Sequence, residues 1–256
     1  MTVAVITGGT RGIGRAVADR LAAAGYQTII AARKPRVLLG HTFHPCDVSD
    51  PEQVRRLFAG LRRVDVLVNA AGIAGANTLD DDDALWHAII GSNLHGTYYC
   101  CKAAVPLLPD GTGRIVNIAS VLGLRGVPDQ TAYCAAKHGV VGFTRSLALA
   151  LAPRGITVNA VCPGWVATEM AAARYRELGI TEAEAAAGVP TGRIATPAEI
   201  ADAVMWLLRP ESRASASGLT HVPGTWICRS LLKRSRSADA ASHGTWRFGD
   251  TSAVTQ

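Results

Sequence analysis

Long hydrophobic runs are absent from this sequence. Its apolar residues never continue for the ~18 positions that a helix needs to cross a bilayer. The apolar run before Gly8 is short and follows no basic residue, which predicts a buried first strand rather than a signal peptide. We therefore expect a cytoplasmic protein that makes no contact with membranes.

The spacings that mark disulfide frameworks and metal sites are also missing. None of the six cysteines belongs to a CxxC pair, and most lie in apolar segments, where a small buried thiol in a reducing compartment explains them. His41, His44 and Cys46 lie close together in the sequence, but no second group of ligand residues follows them. The sequence therefore predicts no metal site.

Aromatic residues do not accompany the basic residues of this chain. About half of the net charge of +6 lies in residues 226–256, and some of the remainder lies beside a glycine-rich turn. Surfaces that bind single-stranded nucleic acids place aromatic side chains among the cations so that bases can stack on them. We therefore expect no nucleic-acid partner.

The sequence does contain a regular alternation of strand and helix patterns. Its 256 residues are 48% apolar, which is enough for the core of one α/β domain. The patterns predict strands at residues 3–7, 27–32, 42–46, 65–71, 114–120 and 157–162. They predict helices at residues 13–25, 51–62, 81–108, 131–152 and 197–208.

This alternation determines the expected fold class. Strands that alternate with helices pair in parallel through right-handed crossovers. The prediction is an α/β fold with a Rossmann-like doubly wound parallel sheet, helices on both faces, and a ligand crevice at the carboxyl ends of the strands. We expect a single domain over residues 1–225 and an atypical basic tail over residues 226–256, whose polar composition is typical of disorder.

A glycine-rich turn follows the first strand. Residues 7–14 have the sequence TGGTRGIG and connect this strand to the first helix. Glycines let the backbone approach a pyrophosphate closely, and the N–H groups at the start of the helix attract its charge. Plain turns are also rich in glycine, but the position between a first strand and a helix favours a dinucleotide site.

A phenol and an ammonium lie four positions apart at Tyr133 and Lys137. Residues at i and i+4 share one face of a helix, so these two groups can act together. Reduction of a ketone needs a hydride and a proton donor, and a nearby ammonium lowers the pKa of a tyrosine from its usual ~10. Ser120 ends a predicted strand and can hydrogen-bond the substrate oxygen. Taken singly, these residues are equally compatible with a solvated helix pair and a turn serine.

Further motifs lie at the ends of the predicted strands and within the helices. Together with TGGTRGIG they are Asn69-Ala70-Ala71-Gly72, Asn93, Ser120, Tyr133-x3-Lys137 and Pro163-Gly164. This set resembles the short-chain dehydrogenase/reductase family over residues 3–224. Within that family, residues 111–164 are similar to 3-oxoacyl-carrier-protein reductases and to ketoreductases of aromatic polyketide synthesis. The resemblance implies an oxidoreductase that assembles as a homotetramer or homodimer.

The resemblance also implies roles for individual residues. The implied catalytic set is Asn93, Ser120, Tyr133 and Lys137, in which Asn93 helps to hold a water that connects the lysine to solvent. With the glycine-rich turn, the implied cofactor contacts are Gly8, Thr10, Gly12, Ile13, Gly14, Asp47, Val48, Asn69, Ala70, Gly72, Tyr133, Lys137, Pro163, Gly164, Val166 and Thr168. Among these, Asp47 and Val48 are expected at the adenine, and Thr168 is expected near the nicotinamide.

The cofactor can be predicted from charge. NAD-selective sites usually place Asp or Glu after the second strand to bind the ribose 2′-hydroxyl, whereas a 2′-phosphate requires cations. Residues 20–46 contain no acidic residue, while Arg33, Lys34 and Arg36 follow the second strand and Arg11 lies in the glycine-rich turn. We predict NADP(H), with Arg11 and Arg33 at the 2′-phosphate and with Lys34 and Arg36 as solvated loop charges.

Some segments match the family pattern less closely than others. The helix usually found between the second and third strands is mostly missing from residues 34–46, so a loop is expected there. Residues 169–195 are rich in alanine and resemble the mobile helices that cover the substrate. Residues 217–224 resemble the last strand of the family and the glycine turn that follows it. Candidates for the pocket wall, or equally for the core, are Trp165, Met170 and Tyr175.

Two classes of function are compatible with these residues. The first is an NADPH-dependent ketoreductase with Tyr133 as general acid, acting on a 3-oxoacyl or polyketide-like β-keto substrate, either free or bound to a carrier protein. A steroid, a sugar or another natural-product intermediate stays open as substrate. The second is a non-catalytic dinucleotide-binding sensor, and the complete set of Ser120, Tyr133 and Lys137 favours the enzyme. Arg125 and Arg174 either meet an acidic carrier or are solvated.

Overall fold

A computed structural model describes residues 2–36, 39–213, 220–222 and 225–229, with backbone only in the last two ranges. Within these residues, six parallel strands form the main sheet: β1 (Val3–Thr7), β2 (Gln27–Ala32), β3 (Thr42–Pro45), β4 (Val66–Asn69), β5 (Arg114–Ile118) and β6 (Thr157–Pro163). Their order is β3-β2-β1-β4-β5-β6, so the chain changes direction across the sheet between β1 and β4. This confirms the predicted doubly wound parallel sheet, whose crevice forms at that change of direction.

Helices cover both faces of the sheet. They are α1 (Gly12–Ala23), α2 (Pro51–Ala59), α3 (Asp83–Ile90), α4 (Gly96–Ala104), α5 (Thr131–Leu151), α6 (Glu169–Leu178), α7 (Glu182–Ala187) and α8 (Pro197–Leu208). Neighbouring residues of β1 enter opposite cores, because Val5 packs on the side of α2, α4 and α5 while Ile6 packs on the side of α1 and α8. Burial on both faces explains why the strands are continuous apolar runs.

The predicted continuous helix over residues 81–108 is wrong. A π-helical turn at Gly91–His95 separates α3 from α4, and α4 ends at Ala104 before a short 3-10 turn. A π turn inserts one extra residue into the helical repeat, and such turns are frequent at functional sites. Asn93 lies at the centre of this turn, so its side chain points in a different direction from the one it would take in an uninterrupted α-helix.

Two antiparallel strands follow α8 in the described residues. They are β7 (Thr220–Val222) and β8 (Thr225–Arg229). β8 pairs with β6, and β7 pairs with β8, so the full order is β3-β2-β1-β4-β5-β6-β8-β7. A strand does lie within residues 217–224, because β7 is there, but the strand beside β6 is β8, which begins at Thr225 and contains the first residues of the predicted tail. The rest of that tail, 230–256, lies outside the described residues.

The connection from β2 to β3 is short. Its described residues, 33–36 and 39–41, contain no helix, as the predicted loop requires. His41 in this connection is within 2.6 Å of the Thr28 hydroxyl through Nδ1 and within 2.9 Å of the Asp19 carboxylate through Nε2. His41 therefore anchors the loop to β2 and α1.

Membrane-spanning helices and clusters of metal ligands are both missing from the described ranges. In these ranges, no helix combines the length and apolar character that a bilayer span requires. The same ranges contain no group of three or more His, Cys, Asp and Glu side chains that could hold a metal ion.

Candidate active site

The glycine-rich turn joins β1 to α1 and packs against the chain that follows β4. Gly8 has a φ of +68°, and a Cβ built on it would lie 2.7 Å from backbone atoms of Ala71. A Cβ on Gly14 would lie 2.5 Å from the carbonyl oxygen of Gly8. Both positions therefore require glycine, and α1 begins at the edge of the crevice, where its unpaired first N–H groups can bind a phosphate.

A cavity of about 1090 Å³ extends from this turn along the carboxyl ends of the strands to α5. The predicted site residues that line it are Gly8, Thr10, Arg11, Gly12, Ile13, Gly14, Arg33, Asp47, Val48, Ala70, Gly72, Asn93, Ser120, Tyr133, Lys137, Pro163, Gly164, Val166 and Thr168. With one exception, the structure brings every predicted catalytic and cofactor-binding residue to this single cavity.

The exception is Asn69, which lies beneath the cavity. Its side chain is buried, and its Nδ2 donates a hydrogen bond to Asn117 Oδ1 at 2.9 Å. Asn117 Nδ2 in turn donates to the Thr144 hydroxyl at 2.9 Å, which connects β5 to α5. The Asn69 side chain is directed toward α4 and Asn117 of β5 instead of toward the crevice, and the implied place of Asn69 on the ribose side of the cofactor stays a prediction.

Lys137 holds a buried ammonium beside the phenol of Tyr133. The lysine is 5% exposed, and its Nζ donates a hydrogen bond to the carbonyl oxygen of Ile118 at 2.8 Å. The same Nζ lies 5.6 Å from the centre of the Tyr133 ring. Burial lowers the pKa of Lys137 to about 8, so the ammonium is still the major form at neutral pH.

The Ser120 side chain lies close enough to Tyr133 to influence its pKa. Burial raises the pKa of Tyr133 to about 12, and the hydrogen bond with Ser120 opposes this rise. The lowered pKa expected from the sequence is not found in the protein alone, because desolvation of the phenolate outweighs the surrounding polar groups. Tyr133 therefore keeps its proton at neutral pH, the form that a proton donor requires.

Gly123 makes the contact between Ser120 and α5 possible. Ser120 follows β5, its Oγ accepts a hydrogen bond from the backbone N–H of Leu122 at 3.1 Å, and a 3-10 turn begins at the next residue. A Cβ on Gly123 would lie 2.6 Å from the carbonyl oxygen of Lys137. Sequence reasoning missed this residue, although a glycine so soon after the serine that ends a strand is a usable signal of close backbone approach.

Asn93 fixes the loop beside Lys137. Its Oδ1 accepts from the backbone N–H of Ile73 at 2.9 Å, and its Nδ2 donates to the carbonyl oxygen of Ile73 at 2.8 Å. A Cβ on Gly72 would lie 2.5 Å from Asn93 Oδ1 and 3.8 Å from Lys137 Nζ. The amide of Asn93 thus holds the loop after β4 against the lysine, and its implied contact with a relay water stays a prediction.

Three arginines gather at the opposite end of the cavity. Arg11, Arg33 and Arg36 all line it after β1 and β2. Glu169 at the start of α6 joins two of them, since its carboxylate lies 2.7 Å from Arg11 Nη1 and 2.9 Å from Arg36 Nη1. The prediction that Arg36 is a solvated loop charge is therefore wrong. No local pattern could have indicated its pairing with a glutamate 133 positions away.

Residues from α6 and the segment before it also line the cavity. Trp165 and Met170 are among them, whereas Tyr175 is buried against the Trp165 ring with 5.0 Å between ring centres. Arg125 lines the cavity, and Arg174 pairs with Asp129 and, at 3.0 Å, with Glu177. Arg174 therefore links α6 to the segment before α5 instead of lying free in solvent.

The chain matches a known protein family over most of its length. Residues 8–223 match the protein family described as enoyl-(acyl carrier protein) reductase. The chain belongs to the short-chain dehydrogenase/reductase family. The resemblance predicted from the motifs is thereby confirmed, as is the prediction that the chain is an oxidoreductase enzyme.

Individual members of the family show which proteins this chain is similar to. It is 38% identical to the 3-oxoacyl-(acyl-carrier-protein) reductase FabG of Haemophilus influenzae, covering 87% of this chain and 96% of that protein. It is 38% identical to a 3beta-hydroxysteroid dehydrogenase of Mediterraneibacter gnavus, covering 72% of this chain and 73% of that protein. A solved structure of an actinorhodin polyketide ketoreductase variant with NADPH matches with a TM-score of 0.78 and 37% identity, covering 83% of this chain and 92% of that chain.

Proposed function

We propose that this protein is an NADPH-dependent ketoreductase that reduces a β-keto substrate. One observation carries the proposal: Ser120, Tyr133 and Lys137 meet in the same cavity that begins at the glycine-rich turn. The cavity therefore combines a place for a dinucleotide with a proton donor for a carbonyl oxygen. Similarity to the FabG reductase and to the polyketide ketoreductase supports the same reaction class.

The residues at the arginine end fit the dinucleotide. Gly8 and Gly14 leave no room for a Cβ, so the turn presents bare backbone to a pyrophosphate at the start of α1. Arg11 and Arg33 supply positive charge for a 2′-phosphate, and residues 20–46 offer no carboxylate for a free 2′-hydroxyl. When bound there, NADPH supplies the hydride, and its nicotinamide becomes cationic as the hydride leaves.

The proton comes from Tyr133. As the carbonyl carbon accepts the hydride, its oxygen gains negative charge and accepts the proton of the Tyr133 hydroxyl. Ser120 hydrogen-bonds Tyr133 and, from the end of β5, can donate to the same oxygen. The ammonium of Lys137 then stabilises the phenolate that forms, because the two groups lie together in a poorly solvated site.

The proposed substrate is a 3-oxoacyl or polyketide-like β-keto compound, either free or bound to a carrier protein. The cavity that contains Tyr133 is also lined by Trp165 and Met170, which suit an apolar chain or ring system. A second candidate is a steroid ketone or alcohol, which the similarity to the 3beta-hydroxysteroid dehydrogenase favours. We place the protein in the cytoplasm as a homotetramer or homodimer, with residues 1–225 as the catalytic domain.

Replacement of Tyr133 tests the proposed reaction. We expect Tyr133→Phe to bind NADPH with a dissociation constant within about twofold of the wild type, because all the other predicted cofactor contacts remain. Its kcat for ketone reduction should fall by at least about a hundredfold, since the proton donor is lost. NADPH oxidation would be followed with acetoacetyl thioesters, bicyclic ketones and steroids, and NADPH binding would be measured by calorimetry.

The matched control is Tyr98→Phe, which removes a hydroxyl from an exposed tyrosine of α4 outside the cavity lining. This variant should keep the wild-type kcat. An unchanged kcat in Tyr133→Phe would contradict the assignment of Tyr133 as the proton donor. Turnover of steroids but of no thioester or bicyclic ketone would favour the second substrate candidate.

A further inference from the structure

Arg11, Arg33 and Arg36 form an arginine cluster at one end of the cavity. Glu169 lies between two of its members, Arg11 and Arg36. Its two carboxylate oxygens contact Arg11 Nη1 at 2.7 Å and Arg36 Nη1 at 2.9 Å. The hydrogen bonds from Arg11 and then from Arg36 hold the pKa of Glu169 below its usual value, so it is an anion at neutral pH. One negative charge is therefore already paired with Arg11, which is proposed to bind the 2′-phosphate.

The start of α6 is held directly over the glycine-rich turn. Thr168 precedes Glu169 and caps α6, accepting a hydrogen bond from the backbone N–H of Ala171 at 3.2 Å. A Cβ on Gly12 would lie 3.3 Å from the methyl group of Thr168. The Thr168 cap and its close packing on Gly12 fix Glu169, the first residue of α6, beside the glycine-rich turn. The Glu169 carboxylate therefore faces Arg11.

The arginines differ in how much of their charge is already neutralised. Arg33 has no ion-pair partner among the described residues, whereas Arg11 and Arg36 share one carboxylate. A 2′-phosphate carries up to two negative charges and can accept bidentate hydrogen bonds from a guanidinium. The phosphate would compete with Glu169 for Arg11 and Arg36. Repulsion between the phosphate and the Glu169 carboxylate would weaken NADPH binding further. The 2′-hydroxyl of NADH has no charge and meets no such competition.

We propose that Glu169 sets the preference between NADPH and NADH by competing with the 2′-phosphate for Arg11 and Arg36. This inference rests on the proposed function, since it assumes that the arginine cluster binds the 2′-phosphate. In this arrangement Glu169 weakens NADPH binding and has little effect on NADH binding.

The test measures dissociation constants for NADPH and NADH by calorimetry, without any ketone. We expect Glu169→Gln to bind NADPH about three- to tenfold more tightly, as removal of one exposed charge near a phosphate would produce, and to bind NADH within about twofold of the wild type. The matched control is Glu182→Gln, which removes the same charge from the exposed start of α7, outside the cavity lining. It should change neither dissociation constant.

Other results would contradict either the role of Glu169 or the proposed cofactor. Unchanged or weaker NADPH binding by Glu169→Gln, or equal tightening for both nucleotides, overturns the role of Glu169 while leaving the proposed function intact. Failure of the wild type itself to bind NADPH overturns the proposed cofactor, and the inference with it. Unfolding midpoints of the three proteins within about 3 °C of one another show that the fold is the same in all of them.

Discussion

Lys137 shows how much a buried ammonium, here one proposed to be catalytic, lowers the stability of the fold. Its Nζ is buried with one backbone carbonyl as hydrogen-bond acceptor, and its pKa falls to about 8. Because the unfolded chain holds this proton up to a pKa of ~10.4, the folded state is the weaker base. Between these two values the unfolded state binds more protons, so the free energy of unfolding rises with pH. The lysine therefore destabilises the fold most at and below neutral pH.

Replacement of the lysine by an apolar side chain of similar length tests this cost. Relative to Lys137→Met, the wild type should gain about 2 kcal/mol of unfolding free energy between pH 7 and pH 9.5, as the proton is lost from the folded state first. Denaturant titrations at both pH values measure the difference. The exposed Lys102 serves as a control, and Lys102→Met should show no comparable change. A difference that is independent of pH would contradict the lowered pKa.

Ser120 and Asn93, two of the proposed catalytic residues, are placed by the end of one element and an irregularity of another. Ser120 follows β5, and Asn93 lies in the π turn between α3 and α4. The 3-10 turn after Ser120 reaches the backbone of α5 only because Gly123 has no side chain. Small shifts of one element against another would therefore misalign the hydroxyl groups while leaving each element intact.

Addition of a methyl group at Gly123 tests this dependence. In Gly123→Ala the Cβ would meet the Lys137 carbonyl oxygen at 2.6 Å, and backbone cannot move aside as a flexible side chain can. We expect kcat to fall at least about tenfold, since a displacement near 1 Å is enough for that. The dissociation constant for NADPH should change less than about threefold. Steady-state kinetics and calorimetry measure the two quantities.

Gly142 of α5 provides the control for this prediction. It is an exposed helix residue, and a Cβ on it meets no atom within 4 Å. Gly142→Ala should keep the activity and stabilise the protein by up to about 1 kcal/mol, because alanine favours the helix. Equal activity in both variants would show that the contact between the 3-10 turn and α5 is not required.

For the molecule as a whole, the sheet continues past the parallel strands through β8. This strand pairs antiparallel with β6 over Asn159–Pro163, and Pro163 lines the cavity. Without β8, the edge of β6 would expose unpaired backbone groups next to the cofactor site. The proposed boundary of the catalytic domain near residue 225 is therefore best tested by chains that end on either side of β8.

Two shortened chains make that test. A chain ending at Arg229 should keep the unfolding midpoint and the NADPH affinity of the full chain if residues 230–256 contribute no essential contact. A chain ending at Val222 should unfold at least about 5 °C lower, as a loss of about 2 kcal/mol implies, and should bind NADPH more weakly. If the two shortened chains have equal unfolding midpoints, β8 does not belong to the catalytic domain, and the proposed boundary at residue 225 is correct.

The fold class and the motifs were predictable because their signals are local. Apolar periodicity fixes whether a segment is strand or helix, and strict alternation of the two implies a parallel sheet. The glycine-rich turn and the Tyr133-x3-Lys137 spacing are each contained in a few consecutive residues. Such signals led to the family and to a set of residues that, apart from Asn69, lines one cavity.

Contacts between distant segments depended on how the chain packs. The pairing of Arg36 with Glu169 spans 133 positions, and it formed because α6 begins above the glycine-rich turn. The direction of Asn69 depended on the pairing of β4 with β5, and the raised pKa of Tyr133 depended on the desolvation that its neighbours impose. Periodicity specifies which face of an element is buried, whereas charge pairing, desolvation and close backbone contacts depend on which elements meet and at what distance.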